Sequence, residues 1–130
     1  FLHHLPDPEL AALPAQIRAL LLPGGRFYSL DPSSRRLSGA VGRRLIPWMM
    51  KRYQTEDERE LEPEPTADLF RRGGLPAQVS IYDFGSSPLA GLLPSWAAGY
   101  RFARHLDDVL LRRPALRRLG SNFELLAACE

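Results

Sequence analysis

The chain predicts an α/β fold, on three observations. A run of apolar residues at helical spacing over residues 8–22 ends at Pro23-Gly24-Gly25 and leads into a short aromatic strand at residues 26–30. The order recurs where a short helix over residues 67–72 stops at Gly73-Gly74 before an alternating strand at residues 78–84. Residues 122–129 then form an apolar strand, Phe123-Glu124-Leu125-Leu126-Ala127-Ala128. Helix, glycine turn and strand in succession make the second half of a βαβ unit.

Each element has a local reason. Asp7 is placed to accept backbone N–H bonds as an N-cap, and Pro8 suits the first helical position, where no donor is needed. Leu10, Leu13, Ile17, Leu20 and Leu21 follow at helical spacing. Pro14 removes a backbone donor, so a kink or a fresh helix start is expected there. A strand before this helix would end at Phe1 or Leu2. Asp31-Pro32-Ser33-Ser34 is expected to stop the first strand.

The middle of the chain is charged. Residues 35–53 carry six basic residues and no acids, mixed with Leu37, Val41, Leu45, Ile46, Trp48, Met49 and Met50. This pattern fits one or two amphipathic helices broken near Gly42 and Pro47. Residues 56–64 carry six acids, so the two blocks attract each other; Pro63 and Pro65 mark the second as a solvated linker. Thr66 is the expected cap of the next helix. A later helix from residue 94 or 95 to 111 carries the stripe Trp96, Tyr100, Ala103, Leu106 and Leu110, and Pro114 interrupts its charged tail. Asp107 and Asp108 are adjacent on that helix and cannot share a face, so both read as solvated.

A length of 130 residues bounds the chain to one domain or a large part of one. Hydrophobic residues at 45% and charged residues at 25% are those of an ordinary globular protein. The formal net charge is only +2, and Lys51 is the sole lysine, so arginine richness reads as coding bias and no nucleic-acid partner is expected. Cys129 stands alone, which excludes an intramolecular disulfide and fits a reducing, cytoplasmic setting. No basic segment followed by an apolar core marks a signal peptide. The longest uncharged run, residues 84–100, contains two prolines, three glycines and three serines, which argues against a membrane span.

Three segments carry a family likeness. His3-His4-Leu5 followed by Asp7 resembles the hydrophobic-His-His-Leu-x-Asp segment after strand four of class I S-adenosylmethionine-dependent methyltransferases. Leu21-Leu22-Pro23-Gly24-Gly25-Arg26 resembles that family's turn before strand five. Phe70 to Gly74 resembles the marks before strand six. The resemblance implies the C-terminal part of a Rossmann-like sheet, with strands like the family's 5, 7 and 6, the last antiparallel between its neighbours, and helices flanking. Residues 1–130 would be a single partial domain, with a charged substrate-side segment at 35–65, a helical insert at 86–120, and the N-terminal half absent. The parent protein would then transfer a methyl group to a small, apolar molecule.

The family's cofactor loop, a Gly-x-Gly-x-Gly after strand one, has no counterpart here. S-adenosylmethionine is thus expected in the intact protein, and the chain is expected to be inactive alone. By the resemblance, Phe1, Leu2 and His3 would lie near the cofactor, and His4 would be the catalytic residue. A histidine at a strand's carboxyl end faces the crevice where open α/β sheets bind ligands, and imidazole suits proton removal from a hydroxyl or amine. Asp31 either contacts substrate or caps the turn with Pro32; Trp48 and Trp96 would roof a substrate pocket. No metal site is expected, because His105 is far along the chain and no cysteine or carboxylate spacing completes one.

Two other function classes are compatible with the sequence. A non-catalytic binding or assembly module of the same fold would expose a sheet edge and self-associate through it. A basic membrane-surface or nucleic-acid binder would use residues 35–53 and lose affinity sharply with salt.

Overall fold

A computed structural model describes residues 1–37, 39, 44 and 58–129. The expectations for Trp48, Met49, Met50 and most of the basic segment lie outside the described residues.

Leu2, one of the two expected strand ends, lies in a turn. Leu2–His4 form a single 3₁₀ turn, with Leu5 N–H donating to the Leu2 carbonyl at 3.1 Å. Leu2 is fully buried, and its burial holds the turn against the sheet. Helix α1, Asp7–Leu20, follows, with Pro6 at the N-cap and Asp7 already helical. It runs through Pro14 without a fresh start. The buried residues Leu10, Pro14 and Ile17 lie on one face, so the proline sits in the packed interface.

Gly24, with φ at 76°, makes the left-handed turn into β1, Arg26–Pro32. The strand outlasts the expected stop at Asp31 because β3, Asn122–Ala128, pairs with it to the end: Asp31 opposes Phe123 and Pro32 opposes Asn122. β1 is an edge strand, where a proline's missing N–H removes no ladder bond. Past its end, Leu61 N–H donates to the Pro32 carbonyl at 3.1 Å, and Ser34 N–H to the Leu61 carbonyl at 2.9 Å. The last part of the acidic block is therefore built into the fold. The attraction between blocks takes the form of Arg36–Glu60 at 2.7 Å and Arg35–Glu62 at 3.1 Å.

Helix α2, Pro63–Arg72, starts earlier than predicted, with proline in its first turn. Thr66 is inside it rather than at the cap; its hydroxyl donates to the Glu62 carbonyl at 2.7 Å. Pro63, Thr66, Ala67 and Phe70 form its buried face. Strand β2, Ala77–Asp83, comes next. Three helices then separate it from β3: α3, Ser86–Leu92, α4, Ala97–Leu111, and α5, Pro114–Arg117. The predicted apolar stripe of α4 is not its buried face. Trp96, Tyr100 and Leu106 are exposed, whereas Gly99 and Asp107 are buried. Gly99, Ala103 and Asp107 at four-residue spacing give a narrow face that packs on α3 and β2.

The sheet order is β1–β3–β2, with both pairings antiparallel. β1 and β2 are therefore parallel to each other, and their carboxyl ends share one edge. Phe27, Ser29 and Asp31 register with Ala127, Leu125 and Phe123, which in turn register with Ala77, Val79 and Ile81. This face meets Leu2, Leu10, Ile17, Leu61, Ala67, Phe70 and Leu75 in the core, where Phe27 stacks on Phe70 at 5.4 Å between centroids. On the opposite face Glu124 ties the strands together, accepting from Tyr28 at 2.9 Å and Ser80 at 3.0 Å. No described helix is long and apolar enough to cross a membrane.

A Cβ added to Gly73 would lie 2.5 Å from the Pro14 Cβ, so α1 and α2 touch there without room for a methyl group. Gly73→Ala is expected to destabilise the fold by about 1–3 kcal/mol, read as a lower urea midpoint at unchanged slope.

Candidate functional site at the carboxyl edge of the sheet

Two buried aspartates stand at the carboxyl ends of the parallel strands. Asp31 closes β1 with 1% of its surface exposed, and Asp83 closes β2 with none. The alternation that turns Phe27 and Ser29 into the core turns Asp31 inward as well.

A buried carboxylate needs donors, and Asp31 has them. Its Oδ1 accepts from the His3 N–H at 3.1 Å and lies 2.7 Å from His3 Nδ1. Its Oδ2 accepts from the Ser29 hydroxyl. Burial pushes the carboxyl up, but the Ser29 hydroxyl and then the His3 ring outweigh it and hold Asp31 below the ordinary carboxylate value. An ionised carboxylate only accepts, so His3 Nδ1 carries the proton and Nε2 keeps its lone pair. With His3 on one oxygen and Ser29 on the other, Asp31 holds the His3 ring in place.

His4 is exposed, its ring centroid 4.1 Å from that of His3. Glu58 completes a group that the spacing argument missed: His3, His4 and Glu58 each bring one ligand atom to within 4.8 Å of the others. The reason is a backbone bond, Arg59 N–H to the His3 carbonyl at 3.1 Å, reinforced by an Arg59–Asp7 ion pair. No local signal in the sequence announces a contact across so many residues.

The β2 end uses its carboxylates to build a helix start. Asp83 accepts from Ser87 N–H at 3.0 Å, Asn122 N–H at 3.1 Å and Asn122 Nδ2 at 2.9 Å. Asp107, expected in solvent, is buried and accepts from the N–H groups of Gly85 at 3.0 Å and Ser86 at 2.9 Å. Orphan donors at the start of α3 are thus met by side chains from β2 and α4. Asp108 is on the surface as expected, paired with Arg104 at 3.1 Å.

Of the expected cofactor and substrate residues that are described, His3 and Asp31 come together at the end of β1. Phe1 is exposed, Leu2 is wholly in the core, and His3 is tied to Asp31. Trp96 sits at the N-terminal end of α4, its ring over Gly99. Gly24 and Gly25 lie at the opposite edge of the sheet, bonded to Cys129 at 2.8 and 2.9 Å. Among the described residues no glycine loop follows a strand, so the groups present do not by themselves fit S-adenosylmethionine. A separate cleft of about 310 Å³ is lined by Val79, Ile81 and Pro114 together with Arg35, Glu64, Arg117 and Arg118. Neither histidine lines it.

The lowered Asp31 value fixes the sign of one pH effect. The unfolded chain binds this proton more readily, so the contribution is complete above the ordinary aspartate value of about 4 and is lost as pH falls through the lower folded value. Acid titration of stability by denaturant melts should show this loss below about pH 4, and Asp31→Asn should flatten it.

No family model matches the sequence, and no curated protein matches it. Among solved structures the chain is similar to a SAM dependent methyltransferase from Archaeoglobus fulgidus, at 12% identity and a TM-score of 0.56. The match covers 98% of this chain and 55% of that one, so this chain spans about half the length of that structure. At this identity the likeness speaks for the fold: a methyltransferase-like α/β arrangement.

Proposed function

We propose that the chain is part of an S-adenosylmethionine-dependent methyltransferase domain acting on a small, largely apolar molecule. The observation that carries this reading is the likeness of nearly the whole chain to a SAM dependent methyltransferase, at a TM-score of 0.56. The sheet order β1–β3–β2 with an antiparallel middle strand supports it, and on this reading the strands correspond to the family's fifth, seventh and sixth.

In this reading the 3₁₀ turn and the end of β1 form the floor of the reaction site. His4, exposed beside the fixed His3 ring, takes the proton from the accepting hydroxyl or amine. Asp31 acts through His3. The glycine loop that grips the cofactor comes from outside these 130 residues, so the chain alone neither binds the cofactor nor turns over.

Calorimetry with S-adenosylmethionine tests this on the 130-residue chain and on a version extended upstream. Saturable binding by the extended version alone supports the reading; binding by neither sinks it. In an active extended enzyme, His4→Ala should lower kcat by about 10²–10⁴-fold, the usual contribution of a general base.

A second reading rests on the exposed edge of β1. No described strand pairs with its outer side, and Tyr28 is 56% and Leu30 39% exposed beside it. A non-catalytic module of this shape self-associates by adding a strand there. Sedimentation across a concentration series should show a dimer that Leu30→Lys dissolves. A monomer at all concentrations removes this reading.

A further inference from the structure

We propose that His3, His4 and Glu58 bind one divalent transition-metal ion, with Asp31 as the group that orients the first ligand. The site goes beyond the methyl-transfer reading, since it requires neither the cofactor nor a substrate.

The donor set points to the class of ion. Two imidazoles and a carboxylate suit zinc, cobalt or nickel, whereas magnesium and calcium favour oxygen alone. Three protein ligands leave a fourth position open to water or a small ligand. The three ligand atoms already lie within 4.8 Å of one another. A tetrahedral site with bonds of about 2.0–2.2 Å places its ligands roughly 3.4 Å apart, so closure takes only side-chain rotation. His4 is exposed and Glu58 half-buried, and both are able to make it.

The surroundings are those of a supported ligand. Metal-binding imidazoles pass their other ring N–H to a carboxylate or carbonyl, which sets the tautomer and raises basicity. His3 does this with Asp31, at 2.7 Å and with the carboxylate fully buried. Glu58 is carried to the histidines by the Arg59–His3 backbone bond, so the contact belongs to the main chain as well as to side chains. The nearby Arg59 guanidinium is paired with Asp7, which offsets its repulsion of a cation.

The test uses the 130-residue chain with any purification tag removed. Cobalt(II) is titrated with visible spectroscopy, and zinc(II) is then used to displace it. The expected result is one equivalent of cobalt with d–d bands of nitrogen and oxygen ligation, displaced by zinc. His4→Ala and Glu58→Gln, both at accessible positions, should each weaken binding at least tenfold, and His105→Ala should leave it unchanged. Asp31→Asn should weaken it by about 10–100-fold, the usual effect of removing an outer-shell partner. Circular dichroism establishes that each variant is folded. Lack of saturable binding overturns the proposal. So does binding that survives both His4→Ala and Glu58→Gln, or that depends on His105. Loss of the S-adenosylmethionine result leaves this one standing, because the two ligands are measured separately.

Discussion

The site depends on the burial of one carboxylate. Asp31 points into the core because its register position does, opposite Phe123 and two residues from Ser29. A buried charge left unpaired costs several kcal/mol. The cost is offset because hydrogen bonds to a charged group contribute about 1.5–3 kcal/mol each and Asp31 accepts them from the chain's first turn and from Ser29. The first turn is thereby bound to the end of β1, with Leu2 buried beneath it. His3 in turn holds Arg59 by its carbonyl, and Arg59 carries Glu58. One desolvated charge thus accounts for the position of both histidines and the glutamate.

The two edges of the sheet are built by different means. At the carboxyl edge, carboxylates from Asp31, Asp83 and Asp107 satisfy backbone donors of loops and a helix start. At the other edge the backbone does most of this, through Gly24 and Gly25 to Cys129 and Pro76 to Ala128, with Arg71 Nε donating to the Ala77 carbonyl at 2.9 Å. Backbone pairing tolerates almost any side chain, whereas carboxylate caps fix residue type and rotamer. The carboxyl edge is accordingly where side-chain chemistry is concentrated, as expected for an open α/β sheet.

The three strands and the helices before β1 and β2 were legible because their signals are local. Period-two alternation and Pro-Gly-Gly or Gly-Gly turns mark them without reference to the rest of the chain. The failures share a cause, which is tertiary contact. Pro14 reads as a break, yet it is helical because its ring fills the gap against Gly73. Pro32 reads as a stop, yet the strand continues on an open edge beside Leu61. Asp107 reads as solvent-facing by composition, but it sits on the narrow Gly99–Ala103 face and caps α3. Of the candidate site, the two histidines and Asp31 were visible as residues. Their pairing, and the arrival of Glu58, follow from contacts that no spacing rule contains.

The exposed and the anchored histidine have different chemical prospects, and this bears on which reading of the site can hold. Asp31 fixes the proton of His3 on Nδ1, so His3 offers a lone pair on Nε2 while its ring is held by the carboxylate. His4 lacks the anchor. A general base must have its lone pair free when substrate arrives, while a metal ligand must not. His4 therefore serves one role at a time, and an ion held with Glu58 withdraws it from proton transfer. Methyl transfer through His4 and metal binding at the same three residues are alternative states of one site. Any methyl-transfer assay of the extended chain should accordingly fall as zinc is added and recover with chelator, with Glu58→Gln insensitive to both.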